Sequence, residues 1–197
     1  MERVTSIWIS GVGGQGTILA AELVAMAALE AGLDVKKSEV HGMAQRGGSV
    51  VSQVRLGKKV YSPLIAEGDA DVLLAFEQVE ALRYAHVVAP GGTIIASEQM
   101  IPSSTTLSGA EAYPRDIART LAAFCGRVQM VPAEAMAREI GNVKVANVLL
   151  LGVLANLLPI PDAVWPDVIR ERVPGKFVEL NLRAFARGRE VGAPLRA

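Results

Sequence analysis

The apolar positions of this chain fall into short runs that switch between a strand period and a helix period. Val4–Ser10 (VTSIWIS) is apolar and β-branched, as a central strand is, and a glycine cluster follows it. Thr17–Ala31 is rich in alanine and leucine and holds neither proline nor glycine until Gly32, which predicts a helix with a glycine stop. A second strand ends near Glu39, and the alternating Ser49–Leu56 (SVVSQVRL) predicts a third, half-buried one. Gly57-Lys58-Lys59 reads as a turn that brings Val60-Tyr61 back as a hairpin partner. Asp71–Phe76 reads as a short buried strand and Glu77–His86 as a helix, after which Gly91-Gly92 leads into a strand at Thr93–Ala96. Ile101–Tyr113 is irregular, with a short strand near Thr105–Leu107. A helix at Arg115–Phe124, a strand at Val128–Val131 and a helix at Ala133–Ile140 come next. Helices at Lys144–Leu158, Asp162–Arg172 and Lys176–Gly188 complete the pattern. Strands alternating with helices predict a single layered α/β domain over residues 1–197. Its sheet is mostly parallel or mixed, flanked by helices, with a helical C-terminal third.

Two glycine-rich loops interrupt this pattern, read as turns at neighbouring strand ends. The first, Gly11 to Gly16 (GVGGQG), joins a strand to a helix, and its glycines let a ligand approach the backbone. The helix beyond it presents free N–H groups and a positive dipole end, which suit a phosphate or another anion. The candidate contacts are Gly11, Gly13, Gly14, Gln15 and Gly16. The second loop, His41 to Gly48 (HGMAQRGG), adds His41, Gln45, Arg46, Gly47 and Gly48, with Ser49 beyond it. Arg46 suits an anion or a partner subunit, because guanidinium pairs well with phosphate. His41 suits a ligand phosphate, a thioester carbonyl or plain backbone bonding, and Gln45 suits a turn cap. The same glycines would also serve tight helix–strand packing with no ligand at all.

Composition removes several chemistries. With 51% hydrophobic residues over 197 positions, the chain can bury a full core. Twenty basic and twenty acidic residues balance to zero net charge, so nothing points to nucleic acid. No signal peptide is legible at the N-terminus, and the longest apolar run, Val148–Leu158, falls short of the roughly 20 residues that span a bilayer. A cytoplasmic protein without membrane contact is expected. Cys125 is the only cysteine, which rules out an intrachain disulfide and an iron–sulfur cubane held by this chain alone; it reads as a buried structural thiol. With only His41 and His86, no paired-histidine metal motif exists, and no G-x-S-x-G elbow marks a nucleophile. Trp8 and Trp165 read as packing anchors, Lys176 as a surface helix start and Asn156 as facing a polar surface. Asn147 reads as satisfying a buried backbone group.

GVGGQG, the helix after it, Ser38–Arg55 (SEVHGMAQRGGSVVSQVR) and Val173–Phe177 (VPGKF) running into Asn181 and Phe185 together resemble one family. They are similar to the gamma-type subunit of 2-oxoacid:ferredoxin oxidoreductases, most of all that of the indolepyruvate-oxidising type. The resemblance spans nearly the whole chain, and HGMAQRGG is its most specific part. It implies oxidative decarboxylation of a 2-oxoacid with coenzyme A and ferredoxin, giving acyl-CoA, carbon dioxide and reduced ferredoxin. It further implies that thiamine diphosphate and iron–sulfur clusters sit on a larger partner subunit, because this chain shows no G-D-G…N motif and lacks the cysteines. On that reading this chain supplies part of the coenzyme A or acyl-transfer side, meets ferredoxin only indirectly and is inactive alone.

Two other classes share these residues. In an autonomous NAD(P)-dependent oxidoreductase, Gly11, Gly13 and Gly16 would form the G-x-G-x-x-G fingerprint and Glu39 would hold a ribose hydroxyl. Lys36 and Lys37 would sooner suit a ribose phosphate, which NADP and coenzyme A both carry. In a purely structural assembly subunit, the loops would serve only contacts with the partner.

Overall fold

A computed structural model describes residues 4–40 and 48–196. Its centre is a six-stranded sheet in the order β2-β3-β1-β4-β5-β6. The strands are β1 (Thr5–Val12), β2 (Asp34–Val40), β3 (Ser49–Gly57), β4 (Ala70–Ala75), β5 (Val88–Ser97) and β6 (Val128–Val131). β1, β4, β5 and β6 run parallel, whereas β3 pairs antiparallel with both β1 and β2. The sheet is therefore mixed, as expected, but through β3 pairing with β2 and β1 rather than through a Val60-Tyr61 partner.

Side chains alternate across the strands and build a core on each face. Ile7 and Ile9 of β1, Val72 and Leu74 of β4 and Ile95 of β5 point to one face. There they meet α1 (Thr17–Glu30), α5 (Ala133–Ile140), α6 (Ala146–Leu154), α7 (Val164–Arg172) and α8 (Val178–Val191). Leu73 and Ala75 of β4 and Ile94 and Ala96 of β5 point to the other face, against α2 (Gln78–Arg83) and α4 (Ile117–Phe124). The eight-residue run Asn147–Leu154 of α6 is buried on every side, so its apolar character reflects a helix inside the protein. α8 crosses it closely: a β-carbon on Gly188 would stand 1.9 Å from the Leu149 carbonyl oxygen, so only glycine fits.

Four local expectations change. Val60-Tyr61 forms no strand, and Tyr61 projects into solvent. The reason is sheet topology: β3 is paired on both edges, by β2 and β1, so a strand after it has no edge to join. The hairpin partner of β3 is β2. It follows that the strand before the second glycine loop is not β1's neighbour, since β3 lies between them. Thr105–Leu107 is helical, within the single turn α3 (Ser104–Leu107), because the Ser103 hydroxyl caps it by accepting from the Thr106 amide at 3.2 Å. Gly91 and Gly92 lie inside β5, where the pairing to β4 slips between Ala70 and Val72. A β-carbon on Gly92 would meet the Ala70 carbonyl at 3.0 Å, which accounts for glycine there.

The remaining packing expectations find their partners. Trp165 is fully buried against Phe185, ring centroids 5.3 Å apart, and Trp8 packs on Tyr84 at 5.5 Å. Cys125 is buried, its thiol donating to the Arg127 carbonyl at 3.4 Å. Asn156 faces a polar surface with one side only: its Oδ1 accepts from Arg196 Nε at 2.6 Å, while its amide donates to the Gly152, Val153 and Arg189 carbonyls at 3.1–3.2 Å, stapling the end of α6 to α8.

Candidate functional site

The parallel strands β1, β4, β5 and β6 all end on one side of the molecule. From β1 the chain turns to α1 on one face, and from the adjacent β4 it turns to α2 on the other. Such a divergence opens a crevice at the carboxyl ends, where α/β sheets place their ligands. The loop of residues 13–16 sits in this crevice.

Gln15 holds the loop in shape. Its Oε1 accepts from the Val12 amide at 2.6 Å, and its Nε2 donates to the Phe76 carbonyl at 2.8 Å and to Gln99 Oε1 at 2.6 Å. Gln99 Nε2 in turn donates to Glu134 Oε1 at 2.7 Å. A chain of side-chain amides thus ties the ends of β1, β4 and β5 to the first turn of α5. The Gly13 amide donates to the Gly48 carbonyl at 2.8 Å, joining the two glycine-rich loops, and the Gln15 amide closes a turn onto Val12 at 3.1 Å. A turn this tight needs its own hydrogen bonds, so two of the four amides of residues 13–16 are engaged within the protein. Those of Gly14 and Gly16 remain.

The glycines divide by role. A β-carbon on Gly11 would stand 2.8 Å from Thr17 Cγ2 and 2.9 Å from Gln15 Oε1, so Gly11 lets the start of α1 pack on β1. Gly16, at φ +88°, would meet Asn147 Nδ2 at 2.4 Å. Both serve packing, as the ligand-free reading of the motif held. Gly14, at φ +100°, has open space above its α-carbon. His41, Gln45, Arg46 and Gly47 lie outside the described residues.

A cleft flanks the loop on either side. One, of about 420 Å³, is lined by Gly14, Gln15, Gly16, Ser97, Gln99, Glu134, Lys144 and Asn147, among others. The second, of about 370 Å³, lies beyond Gly48 and Ser49 and is lined by Glu77, Glu80, Arg83, Ser103, Thr106 and Tyr113, among others. Two of its carboxylates, Glu77 and Glu80, are buried and fully engaged. Glu77 caps α2 by accepting from the Glu80 amide at 2.9 Å and also accepts from the Ile101 amide at 3.1 Å and the Tyr113 hydroxyl. Glu80 accepts from the Ser49 hydroxyl and from Arg83 Nε at 3.0 Å. Burial, aided by the Glu77 carboxylate, pushes the Tyr113 phenol above its ordinary range, so it stays a hydrogen-bond donor.

Sequence reading missed Gln99, Glu134, Glu77, Glu80 and Tyr113, which lie far along the chain from either loop. Lys144 and Asn147 were legible only as polar residues opening an apolar helix. The expectation for Asn147 holds in part, because its Oδ1 accepts from the Val148 amide at 2.8 Å.

The dinucleotide arrangement fails on topology. Its acid belongs on the parallel strand beside the glycine strand, and here antiparallel β3 occupies that place. Glu39 lies on β2, one strand further out, with Lys37 Nζ 2.8 Å away, and Lys36 pairs with Asp34 at 2.7 Å.

Residues 6–191 match the sequence model of the pyruvate ferredoxin/flavodoxin oxidoreductase family. The chain belongs to that family. Indolepyruvate oxidoreductase subunit IorB of Thermococcus kodakarensis is 42% identical over 188 residues, covering 93% of each chain. The IorB subunit of Pyrococcus horikoshii is 43% identical over the same share of both. Among solved structures, the gamma subunit of a keto/oxoacid ferredoxin oxidoreductase from Geobacter sulfurreducens superposes with TM-score 0.73 at 26% identity, over 96% of this chain and 99% of that one. A 2-oxoglutarate:ferredoxin oxidoreductase from Magnetococcus marinus, described with 2-oxoglutarate, coenzyme A and succinyl-CoA bound, shares the fold at TM-score 0.76 and 22% identity. That match takes in 98% of this chain and 32% of the longer one.

The family's small-subunit fold thus accounts for the mixed sheet and the helical C-terminal third. Its members are subunits of oxidoreductases. Within VPGKF, Pro174 and Phe177 line a small apolar cleft, and Asn181 fixes the start of α8 by donating to the Phe177 carbonyl at 2.9 Å. Among the described residues no cluster of His, Cys, Asp and Glu could hold a metal ion. No helix among them is long and apolar enough to cross a membrane.

Proposed function

We propose that this chain is the small subunit of a cytoplasmic 2-oxoacid:ferredoxin oxidoreductase acting on indolepyruvate, working as one domain and contributing to the coenzyme A or acyl-transfer side. The observation that carries the reading is the 42–43% identity, along nearly the full length, to subunits named for indolepyruvate oxidation. The coenzyme role draws on a crevice with two clefts at the strand ends and on the shared fold of a relative described with coenzyme A bound. Gly11, Gly13, Gly14, Gln15 and Gly16 form or shape one wall of that crevice, and His41, Gln45, Arg46, Gly47 and Gly48 are the further contacts of this reading. Oxidative decarboxylation needs an electron sink and a carbanion-stabilising cofactor. Thiamine diphosphate and iron–sulfur clusters therefore belong to a larger partner subunit, which also passes electrons to ferredoxin. The residues here position and exclude water; they do not conduct the redox step.

Affinity purification of the tagged chain from its own cells tests this. A larger co-purifying subunit carrying thiamine diphosphate and cluster absorbance is expected, with coenzyme A-dependent reduction of a viologen dye by indolepyruvate. A chain that purifies without such a partner overturns the assembly, and turnover on other 2-oxoacids but not indolepyruvate overturns the substrate.

A further inference from the structure

We propose that the apolar cleft beside VPGKF receives one apolar side chain, flanked by a carboxylate, from the larger subunit, with Phe177 and Lys176 as the anchors of the contact. The inference rests on the two-subunit assembly and gives it a docking face. The cleft, of about 140 Å³, lies between α1 and the join of α7 to α8, and Leu19, Val145, Val173, Pro174 and Phe177 are its apolar walls. It falls below the roughly 300 Å³ at which small-molecule pockets begin and suits a single leucine- or methionine-sized side chain. Phe177 is 38% exposed, yet its backbone is fixed on both sides. Its amide donates to the Pro174 carbonyl at 2.8 Å, and its carbonyl accepts from Asn181 Nδ2 at 2.9 Å. An exposed aromatic ring on a backbone so fixed loses little freedom when a partner covers it.

The charge around the cleft selects the partner. Lys144 and Arg172 line it, and the Lys176 ammonium stands 5.0 Å from the centre of the Phe177 ring. No acidic side chain is among the lining residues. Arg172 is satisfied by Glu22 at 2.6 Å, whereas neither lysine has an ion-pair partner among the described residues. A partner that covers the ring buries the ammonium with it, and a buried charge without a counter-charge is costly, so the partner must bring a carboxylate. A second copy docked by the same patch would instead set these lysines against each other. In the Magnetococcus marinus relative the matched fold is 32% of a longer chain, so further domains are joined to it covalently there. The IorB subunits are matched over 93% of their own length, which leaves no room for such domains, and surface contact must hold them instead.

The complex, purified through a tag on the larger subunit co-expressed with this chain, tests the face. With Phe177 replaced by p-benzoylphenylalanine, irradiation should crosslink the chain to the larger subunit. The same replacement at Tyr61, which is 88% exposed beyond the end of β3, should not. Lys176→Glu should raise the concentration at which the complex dissociates by about tenfold or more in low salt, and Lys176→Arg should restore it. Lys176 is exposed, so neither change disturbs the fold. Indifference to Lys176→Glu, or no crosslink from position 177, overturns the face and leaves the assembly standing. Equal crosslinking from both positions, or crosslinks only between copies of this chain, overturns it too. If the wild-type chain never co-purifies with the larger subunit, the face and the assembly both fail.

Discussion

The carboxamides of Gln15 and Gln99 meet at 2.6 Å across the carboxyl ends of β1 and β5, 84 positions apart in the chain. Gln15 is thereby fixed at both ends, with the Val12 amide on its oxygen and the Phe76 carbonyl on its nitrogen. The glycine loop owes its shape to this one side chain. Gln15→Ala should lower unfolding free energy by about 1–3 kcal/mol, since it leaves part-buried backbone groups unpaired. Urea denaturation measures the loss, and unchanged stability would show that water replaces the side chain.

Gly14 and Gly16 should separate binding from stability. At Gly16 a methyl group meets Asn147 and the backbone is left-handed, so Gly16→Ala should cost about 2 kcal/mol or more. Gly14 has the same backbone constraint without the clash, and Gly14→Ala should cost about 1 kcal/mol. Gly14→Val should abolish coenzyme A binding by filling the space above the loop. Equal melting shifts for the two alanine variants would contradict this division.

The α6–α8 crossing should be the least tolerant point of the core. Gly188→Ala drives a methyl into the Leu149 carbonyl, which is backbone and cannot rotate away. A loss of about 3 kcal/mol or more is expected, at the top of the overpacking range. Circular dichroism melts of Gly188→Ala beside the exposed control Gly126→Ala check it.

Arg46→Ala should weaken coenzyme A or partner binding by about 1.5–3 kcal/mol, the value of a charge-assisted hydrogen bond, with little change in stability. Intact coenzyme affinity, partner affinity and coupled turnover in the variant would make the second loop scaffolding.

Tyr113 adds a dependence on alkaline pH. Its phenol titrates above its ordinary value of about 10 in the folded chain. Between the unfolded and folded values the unfolded state has released the proton and the folded state has not, so stability falls as pH rises. The contribution is complete below about pH 10 and lost above it. Tyr113→Phe should show a shallower alkaline decline, read by denaturant midpoints across that range. A decline of equal slope in both proteins would assign the effect to other groups.

Local periodicity alone determined most elements and the α/β class, because amphipathic spacing and glycine stops act over a few residues. Ala133–Ile140 and Val128–Val131 match residue for residue. GVGGQG marked a strand–turn–helix, since glycines clustered between an apolar strand and an alanine-rich helix leave few other conformations. HGMAQRGG and VPGKF carried the family. What β3 pairs with was not legible, because strand order is chosen by edges far apart in sequence, and that choice removed the Val60-Tyr61 hairpin and isolated Glu39. Nor could the sequence tell which glycines make room for a ligand. Gly16 is reserved for Asn147 and Gly188 for Leu149, contacts made only when α6 packs beside α1 and α8. Lys144 and Asn147, which line the cleft beside the glycine loop, are separated from that loop by more than half the chain. Only tertiary packing brings them to it.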